Sequence, residues 1–126
     1  MFKQRVPSDV VKGVFYYLGS GTRFSANIPR IHRSFHSICE KEDFKSICRD
    51  FVFDTSKVFP FSPTIGYALD RLQKADLLAC RNPGLDEYEV TEALGKQRDE
   101  IELLFNESER ALLLKAATIF QSETRS

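Results

Sequence analysis

Residues 62–96 read SPTIGYALDRLQKADLLACRNPGLDEYEVTEALGK, and this stretch decides the fold class. Ser62 is a favourable N-cap, and Pro63 fits the first helical position because its missing N–H costs nothing there. The residues that recur at helical spacing and predict the buried face are Ile65, Leu69 and Leu72. We expect this helix to run to about Asp76.

The second half of the same stretch predicts a β-hairpin. A short apolar run is followed by Asn82-Pro83-Gly84, which has the composition of a turn. Tyr88 and Val90 then alternate with glutamates, which is typical of a strand with one buried face and one exposed face. The prediction is strand 77–81, turn 82–86 and strand 87–91.

Apolar residues at helical spacing predict further helices on both sides of this stretch. These are a helix capped by Ser8 that stops at residues 19–21, a helix capped by Asn27 or Ser25, a short helical piece at 41–49, a helix capped by Thr91, and a last helix over 107–121 after a break near Phe105. The capping-box spacing of Asn106 and Glu109 favours that break. We expect residues 122–126 to fray, and the aromatic-rich segment 51–61 to form a loop or short strand over the core.

The predicted order of three helices, a hairpin and a further helix resembles the winged-helix fold. Residues 88–95, Tyr-Glu-Val-Thr-Glu-Ala-Leu-Gly, are similar to the wing strand and exit turn of small bacterial regulators of the MarR and PadR kind. The spacing of Leu69, Leu72, Leu77 and Leu78 also resembles that family. The resemblance implies a mainly α fold with a small two-stranded antiparallel β-wing. It further implies a winged-helix-like domain at 1–96 and a C-terminal helical extension at 97–126 that serves as a dimerisation element.

The same resemblance implies double-stranded DNA as the partner of a homodimeric transcriptional regulator, because the third helix of a winged helix enters the major groove. Helical phase places a polar stripe opposite the predicted buried face. Its members are Thr64, Tyr67, Arg71 and Lys74, with Arg81 at the base of the wing. A second basic patch, which could contact nucleic acid or an acidic partner, contains Arg23, Arg30, Arg33 and Lys41, with His32 and His36.

The charge distribution leaves a second function open. Residues 1–50 hold nine Lys/Arg and five Asp/Glu, whereas residues 51–126 hold nine and thirteen, so the net charge of zero is unevenly spread. Asp86, Glu87 and Glu89 make the predicted wing acidic, which opposes contact with phosphate. The alternative is therefore a protein-interaction module on the same scaffold, such as an accessory subunit of a larger prokaryotic assembly.

No motif in the sequence indicates an enzyme or a cofactor. Phosphate-binding glycine loops, HExxH and GxSxG are all missing. His32, His36 and Cys39 have spacings that a metal site or a Cys–His nucleophile would need, but we expect the three cysteines, Cys39, Cys48 and Cys80, to be small buried thiols. Cysteines that remain thiols indicate a reducing compartment. Because the sequence also has neither a signal-peptide pattern nor a membrane span, we expect a cytoplasmic protein.

Overall fold

The computed structural model describes residues 4–81, 84 and 86–125, and it is mostly helical with one small antiparallel sheet. In chain order the elements are α1 (Pro7–Leu18), β1 (Arg23–Ser25), α2 (Ile28–Glu40), α3 (Lys45–Cys48), α4 (Pro63–Lys74), β2 (Leu78–Arg81), β3 (Glu87–Val90), α5 (Glu92–Gly95), α6 (Arg98–Leu104) and α7 (Glu107–Thr124). A single 3-10 turn over Glu42–Phe44 leads into α3. The mainly helical class is confirmed.

The sheet has three strands in the order β1-β3-β2, so the prediction of two strands was wrong. The additional strand is β1, which pairs antiparallel with β3 so that Phe24 lies opposite Tyr88. Both of these side chains are buried. A strand of three residues with one apolar side chain has too little alternation to be recognised from the sequence. It also depends on pairing with a segment more than 60 residues away, which leaves no local signal.

The predicted helix-and-hairpin stretch is confirmed. Helix α4 ends at Lys74, slightly earlier than expected, and the hairpin strands β2 and β3 are each four residues long. Asp76 has a φ of 60°, a left-handed conformation that Asp tolerates better than most residues, and this turns the chain from α4 into β2. Residues 82, 83 and 85 of the expected turn lie outside the described residues.

The turn after α4 is held by Thr91, which follows β3. Its hydroxyl donates to the Asp76 carbonyl at 2.8 Å, and its N–H donates to the Leu77 carbonyl at 3.2 Å. The Thr91 side chain also accepts from the Leu94 N–H at 3.3 Å, which confirms it as the N-cap of α5. One residue therefore joins the end of α4, the hairpin and the next helix.

Two further predicted helix starts are confirmed, and a third is shifted. Asn27 caps α2 by accepting from the Arg30 N–H, and Asn106 and Glu109 form the capping box of α7. Helix α1 instead begins at Pro7, after Val6, so the expected cap at Ser8 was wrong. The Asp9 carboxylate accepts from the Val6 N–H at 2.9 Å, which satisfies an N–H just before the first turn.

The core is centred on four phenylalanines from different elements. Phe15 of α1, Phe24 of β1, Phe35 of α2 and Phe120 of α7 are all fully buried. The Phe120 ring lies 5.1 to 5.4 Å from the other three ring centroids, within the range of favourable aromatic contacts. The C-terminal helix that we expected to extend from the domain therefore also completes its core.

The end of α7 differs from the sequence-based expectation. The helix continues to Thr124, whose buried hydroxyl donates to the Phe120 carbonyl at 2.7 Å, so residues 122–124 do not fray. The Ser34 hydroxyl of α2 donates to the Glu123 carboxylate at 2.8 Å. These contacts hold the last turn of α7 against α2.

The cysteines also differ from the expectation of three thiols. Cys39, near the end of α2, and Cys48, at the end of α3, form a disulfide, with their Cα atoms 5.5 Å apart. Sequence spacing does not indicate this pair, because a separation of nine residues matches neither a metal motif nor a redox motif. Cys80 lies on β2 and is not part of this disulfide.

We predict that Phe120→Ala lowers the free energy of unfolding by about 3–5 kcal/mol, because it removes a ring from the centre of the core. Leu103→Ala on α6 is the control, since Leu103 is 48% exposed. We expect it to change stability by no more than about 0.5 kcal/mol. Urea unfolding followed by circular dichroism measures both. Equal effects would show that α7 does not pack as described.

Candidate nucleic-acid interface

The outward face of α4 carries the side chains that the sequence placed there. Tyr67, Arg71 and Lys74 are exposed, and Thr64 is partly buried near the start of the helix. The opposite face, formed by Ile65, Leu69 and Leu72, is buried, so the predicted helical phase is confirmed. Gln73 lies between the two faces and is within 3.5 Å of the Tyr88 hydroxyl on β3, which helps to fix α4 against the sheet.

The charged groups on this face interact with their neighbours. Arg71 donates to the Tyr67 hydroxyl at 2.8 Å, and its guanidinium lies 5.4 Å from the Tyr67 ring centroid, which is a cation–π contact. Lys74 pairs with Asp70 at 2.9 Å, one helical turn away. Among the described residues no carboxylate pairs with Arg71. The Arg71 guanidinium is therefore the positive charge on α4 that is most open to an anionic partner.

A shallow groove of about 260 Å³ runs between α4 and the start of α1. Lys12 and Asp9 of α1 line it together with Tyr67 and Arg71 of α4. Lys12 was not among the sequence-predicted site residues, because only the packing of α1 against α4 brings it to this face. It places a second cation beside Arg71, and Asp9 partly offsets it.

The outward face of the sheet holds a network of ion pairs across all three strands. Arg23 of β1 lies 3.0 Å from the Glu89 carboxylate and 3.8 Å from that of Glu87, both on β3. Arg81 at the end of β2 lies 3.5 Å from Glu89. The two arginines offset the two glutamates of the wing, so its acidity is smaller than the hairpin sequence alone indicates. The sequence placed Arg23 in the second basic patch, but its pairing with these glutamates was not predicted because strand β1 was not.

Arg30 and Arg33 of the second basic patch have different surroundings. Arg30 donates to the backbone carbonyls of Glu123 and Arg125 at 3.0 and 3.1 Å, so it caps the C-terminus of α7, where a positive charge is favourable. Arg33 lies on the same helix and is exposed. Arg30 therefore has a structural role, and the structure does not bring it together with Arg71 and Lys74.

The segment between α3 and α4 is an apolar loop. Val52 is 72% exposed and Val58 is 95% exposed, whereas Phe51, Phe53, Phe59 and Phe61 are partly buried against the domain. Lys57, Val58, Phe59 and Phe61 line an open concavity of about 410 Å³. A single bridge between Asp54 and Phe61 closes the loop. Side chains as exposed as Val52 and Val58 are unfavourable in water unless a partner covers them.

His32 of α2 anchors the end of this loop. Its ring is fully buried and stacks on the Phe61 ring at 5.1 Å, and its Nδ1 accepts from the Ser62 N–H at 3.0 Å. The ring proton is therefore on Nε2, which makes no hydrogen bond to the described residues, as is also true of the buried Ser62 Oγ. Burial lowers the pKa of His32, because a charged imidazolium is disfavoured away from water.

The hypotheses of a metal site and a Cys–His nucleophile find no matching geometry. Among residues 4–81, 84 and 86–125 no group of three His, Cys, Asp or Glu side chains is arranged to hold a metal ion. Cys39 is bonded to Cys48 and His36 lies 3.3 Å from the Glu40 carboxylate, so the two residues do not form a thiolate–imidazole pair. Over the same described ranges, no helix has the length and apolar character needed to cross a bilayer.

We predict that the protein loses stability as the pH falls below about 6.5, where a histidine of the unfolded chain becomes protonated. The folded protein resists protonation of His32. The stability that neutral His32 contributes is therefore fully present above this pH and decreases below it. The limiting slope is about 1.4 kcal/mol per pH unit for one proton. His32→Phe should be less stable at pH 8, because the Ser62 N–H loses its acceptor, but should lack this pH dependence.

The measurement is urea unfolding at a series of pH values from 8 to 5 for both proteins. His36→Asn is the control, since it removes the other histidine of the chain from a partly exposed position. A wild-type protein whose stability does not change between pH 7 and 5.5 would contradict the buried, neutral state of His32.

Comparison with known proteins leaves the geometry as the basis for assigning a function. No protein-family model matches the chain, no curated protein matches it, and no solved structure matches it.

Proposed function

We propose that the chain is a winged-helix DNA-binding domain of the MarR or PadR kind that acts in transcriptional regulation. The observation that carries the proposal is the position of α4, an exposed helix that leads directly into the hairpin of a sheet with the order β1-β3-β2. A winged helix likewise has its third helix just before the two strands of the wing. In that fold the exposed helix enters the major groove.

The chemistry of the exposed face of α4 supports this assignment. Arg71 and Lys74 can donate to phosphates or to the acceptors of guanine, and Tyr67 and Thr64 can contact phosphate. The Lys74–Asp70 pair is exposed on both sides, and such pairs contribute little stability, so a phosphate can replace the carboxylate at small cost. Arg81 lies at the base of the wing, where it can reach the DNA backbone.

The proposal includes a homodimer in the cytoplasm. Two-fold operators are read by dimers, and the outward face of α7 presents Leu114 beside Lys115 and Thr118 for such a contact. The buried face of the same helix completes the domain core, so the helix can serve both purposes.

We predict that the protein binds random duplex DNA with micromolar affinity at 50 mM salt, and that Arg71→Glu with Lys74→Glu weakens binding about 100-fold. The slope of log affinity against log salt should also decrease by about two, because two phosphate contacts are lost. Both side chains are exposed, so the variant should keep the wild-type circular dichroism spectrum. Fluorescence anisotropy with a labelled duplex measures the affinity and the slope.

The control is Lys96→Glu with Arg98→Glu, which changes the net charge equally but at two exposed positions, just after α5 and at the start of α6. We expect this control to lose much less affinity than the α4 variant. Equal losses would indicate general electrostatic attraction, and no binding by the wild-type protein at 50 mM salt would refute the proposal.

A second candidate function is a protein-interaction module, an accessory subunit of a larger prokaryotic assembly. The observation that favours it is the apolar loop with Val52 and Val58 in water. The ion pairs of Arg23 and Arg81 with the wing glutamates favour it as well, because paired charges attract phosphate less strongly. A protein partner would cover the apolar loop and leave the exposed face of α4 free.

For this second function we predict that Val58→Asp abolishes the recovery of a stoichiometric partner when the tagged protein is purified from its native cells, because a buried carboxylate would face an apolar contact. Leu103→Asp is the control, since Leu103 is 48% exposed on α6, away from the loop in sequence. Mass spectrometry of the recovered complexes measures the loss. Recovery of the same partner by both variants would exclude the loop as its binding surface.

A further inference from the structure

The Cys39–Cys48 disulfide lies in a pocket rather than in the sealed core. The pocket has a volume of about 310 Å³ and is lined by both cysteines together with charged and aromatic side chains, which are His36, Glu40, Lys45, Arg49, Phe51 and Phe53. Cys39 is partly exposed, whereas Cys48 is 8% exposed. A small molecule can therefore reach the bond from solvent, and Cys39 presents the sulfur that it would meet.

The charges around this pocket favour an anion. Lys45 and Arg49 are two cations on and just after α3, and Lys45 lies three residues before Cys48, on the same side of the helix. Glu40 is the carboxylate that lines the pocket, and it lies 3.3 Å from His36. Positive charge beside Cys48 stabilises its thiolate, which makes Cys48 the better leaving group when the disulfide is attacked.

We propose that this pocket is a thiol-exchange site for an anionic low-molecular-weight thiol of the glutathione class. The thiolate of the small molecule attacks Sγ of Cys39, the bond between the two protein sulfurs breaks, and Cys48 leaves as a thiolate. A second molecule of the thiol then attacks the mixed disulfide on Cys39. The products are two protein thiols and one oxidised dimer of the small thiol, so two electrons and two protons pass to the protein.

The redox state of the Cys39–Cys48 pair determines whether the loop before α4 is covalently fixed to α2. Cys48 ends α3, and the apolar loop begins at the next residues, so the disulfide fixes the start of the loop to α2. After reduction this covalent link to α2 is lost, and the burial of Ile47 and of Phe44 in the preceding 3-10 turn still holds the segment against the core. The inference does not depend on DNA binding, because its chemistry involves only the pocket.

The test compares reduction of the oxidised protein by glutathione and by 2-mercaptoethanol, followed by alkylation and mass spectrometry. Lys45→Gln with Arg49→Gln should reduce the ratio of the glutathione rate to the 2-mercaptoethanol rate by about tenfold, since two attractive charges are removed from the pocket that holds the disulfide. Lys96→Gln with Arg98→Gln is the matched control, because it removes one exposed lysine and one exposed arginine that do not line the pocket, and the ratio should stay the same.

Three results would overturn the proposal. The first is alkylation of both Cys39 and Cys48 without a reductant, in protein purified under air. The second is resistance of the disulfide to millimolar glutathione, and the third is an unchanged rate ratio in the Lys45 and Arg49 variant.

A second experiment identifies the attacked sulfur. Cys48→Ser leaves Cys39 as the thiol of the pocket, and oxidised glutathione should form a mixed disulfide on Cys39 in preference to Cys80, releasing one equivalent of glutathione. Peptide mapping locates the adduct, and circular dichroism verifies that the variant is folded. Modification of Cys80 in place of Cys39 would show that the pocket does not select the thiol.

Discussion

The burial of Phe24 is the contact on which the rest of the arrangement depends. Its ring lies 4.9 Å from Phe15, 5.1 Å from Phe120 and 5.7 Å from Tyr88, so a single side chain touches α1, α7 and β3. Because Phe24 points into the core, Arg23, the preceding residue of the strand, points outward. The same constraint thus builds the third strand and places an arginine beside the wing glutamates.

The sequence could predict those parts of the fold that local residues determine. The α4 helix and the hairpin follow from Ser62, Pro63 and the alternation of Tyr88 and Val90, and all of these signals lie within 30 residues of one another. Strand β1 depends on pairing with β3 across the chain, and the disulfide depends on how α3 turns back toward α2. Neither has a local periodic signal, which is why both were missed.

The candidate site was predictable to a similar extent. Helical phase correctly placed Tyr67, Arg71 and Lys74 in solvent, since an amphipathic helix with three buried apolar residues leaves one face outward. Helical phase alone does not reveal which groups each charged side chain contacts. The pairing of Arg81 with Glu89 requires the register of the hairpin, and the attachment of Arg30 to the end of α7 requires tertiary packing.

The loop before α4 is attached to α2 at both of its ends. Cys39 holds Cys48 at the beginning of the loop, and His32, two turns earlier on the same helix, accepts from the Ser62 N–H at its end. Ser62 precedes the first residue of α4, so α2 positions the start of the exposed helix. Reduction of the disulfide would release one attachment and protonation of His32 would release the other, because Nδ1 can then no longer accept. The disulfide and His32 therefore both act on the segment that leads into the proposed binding surface.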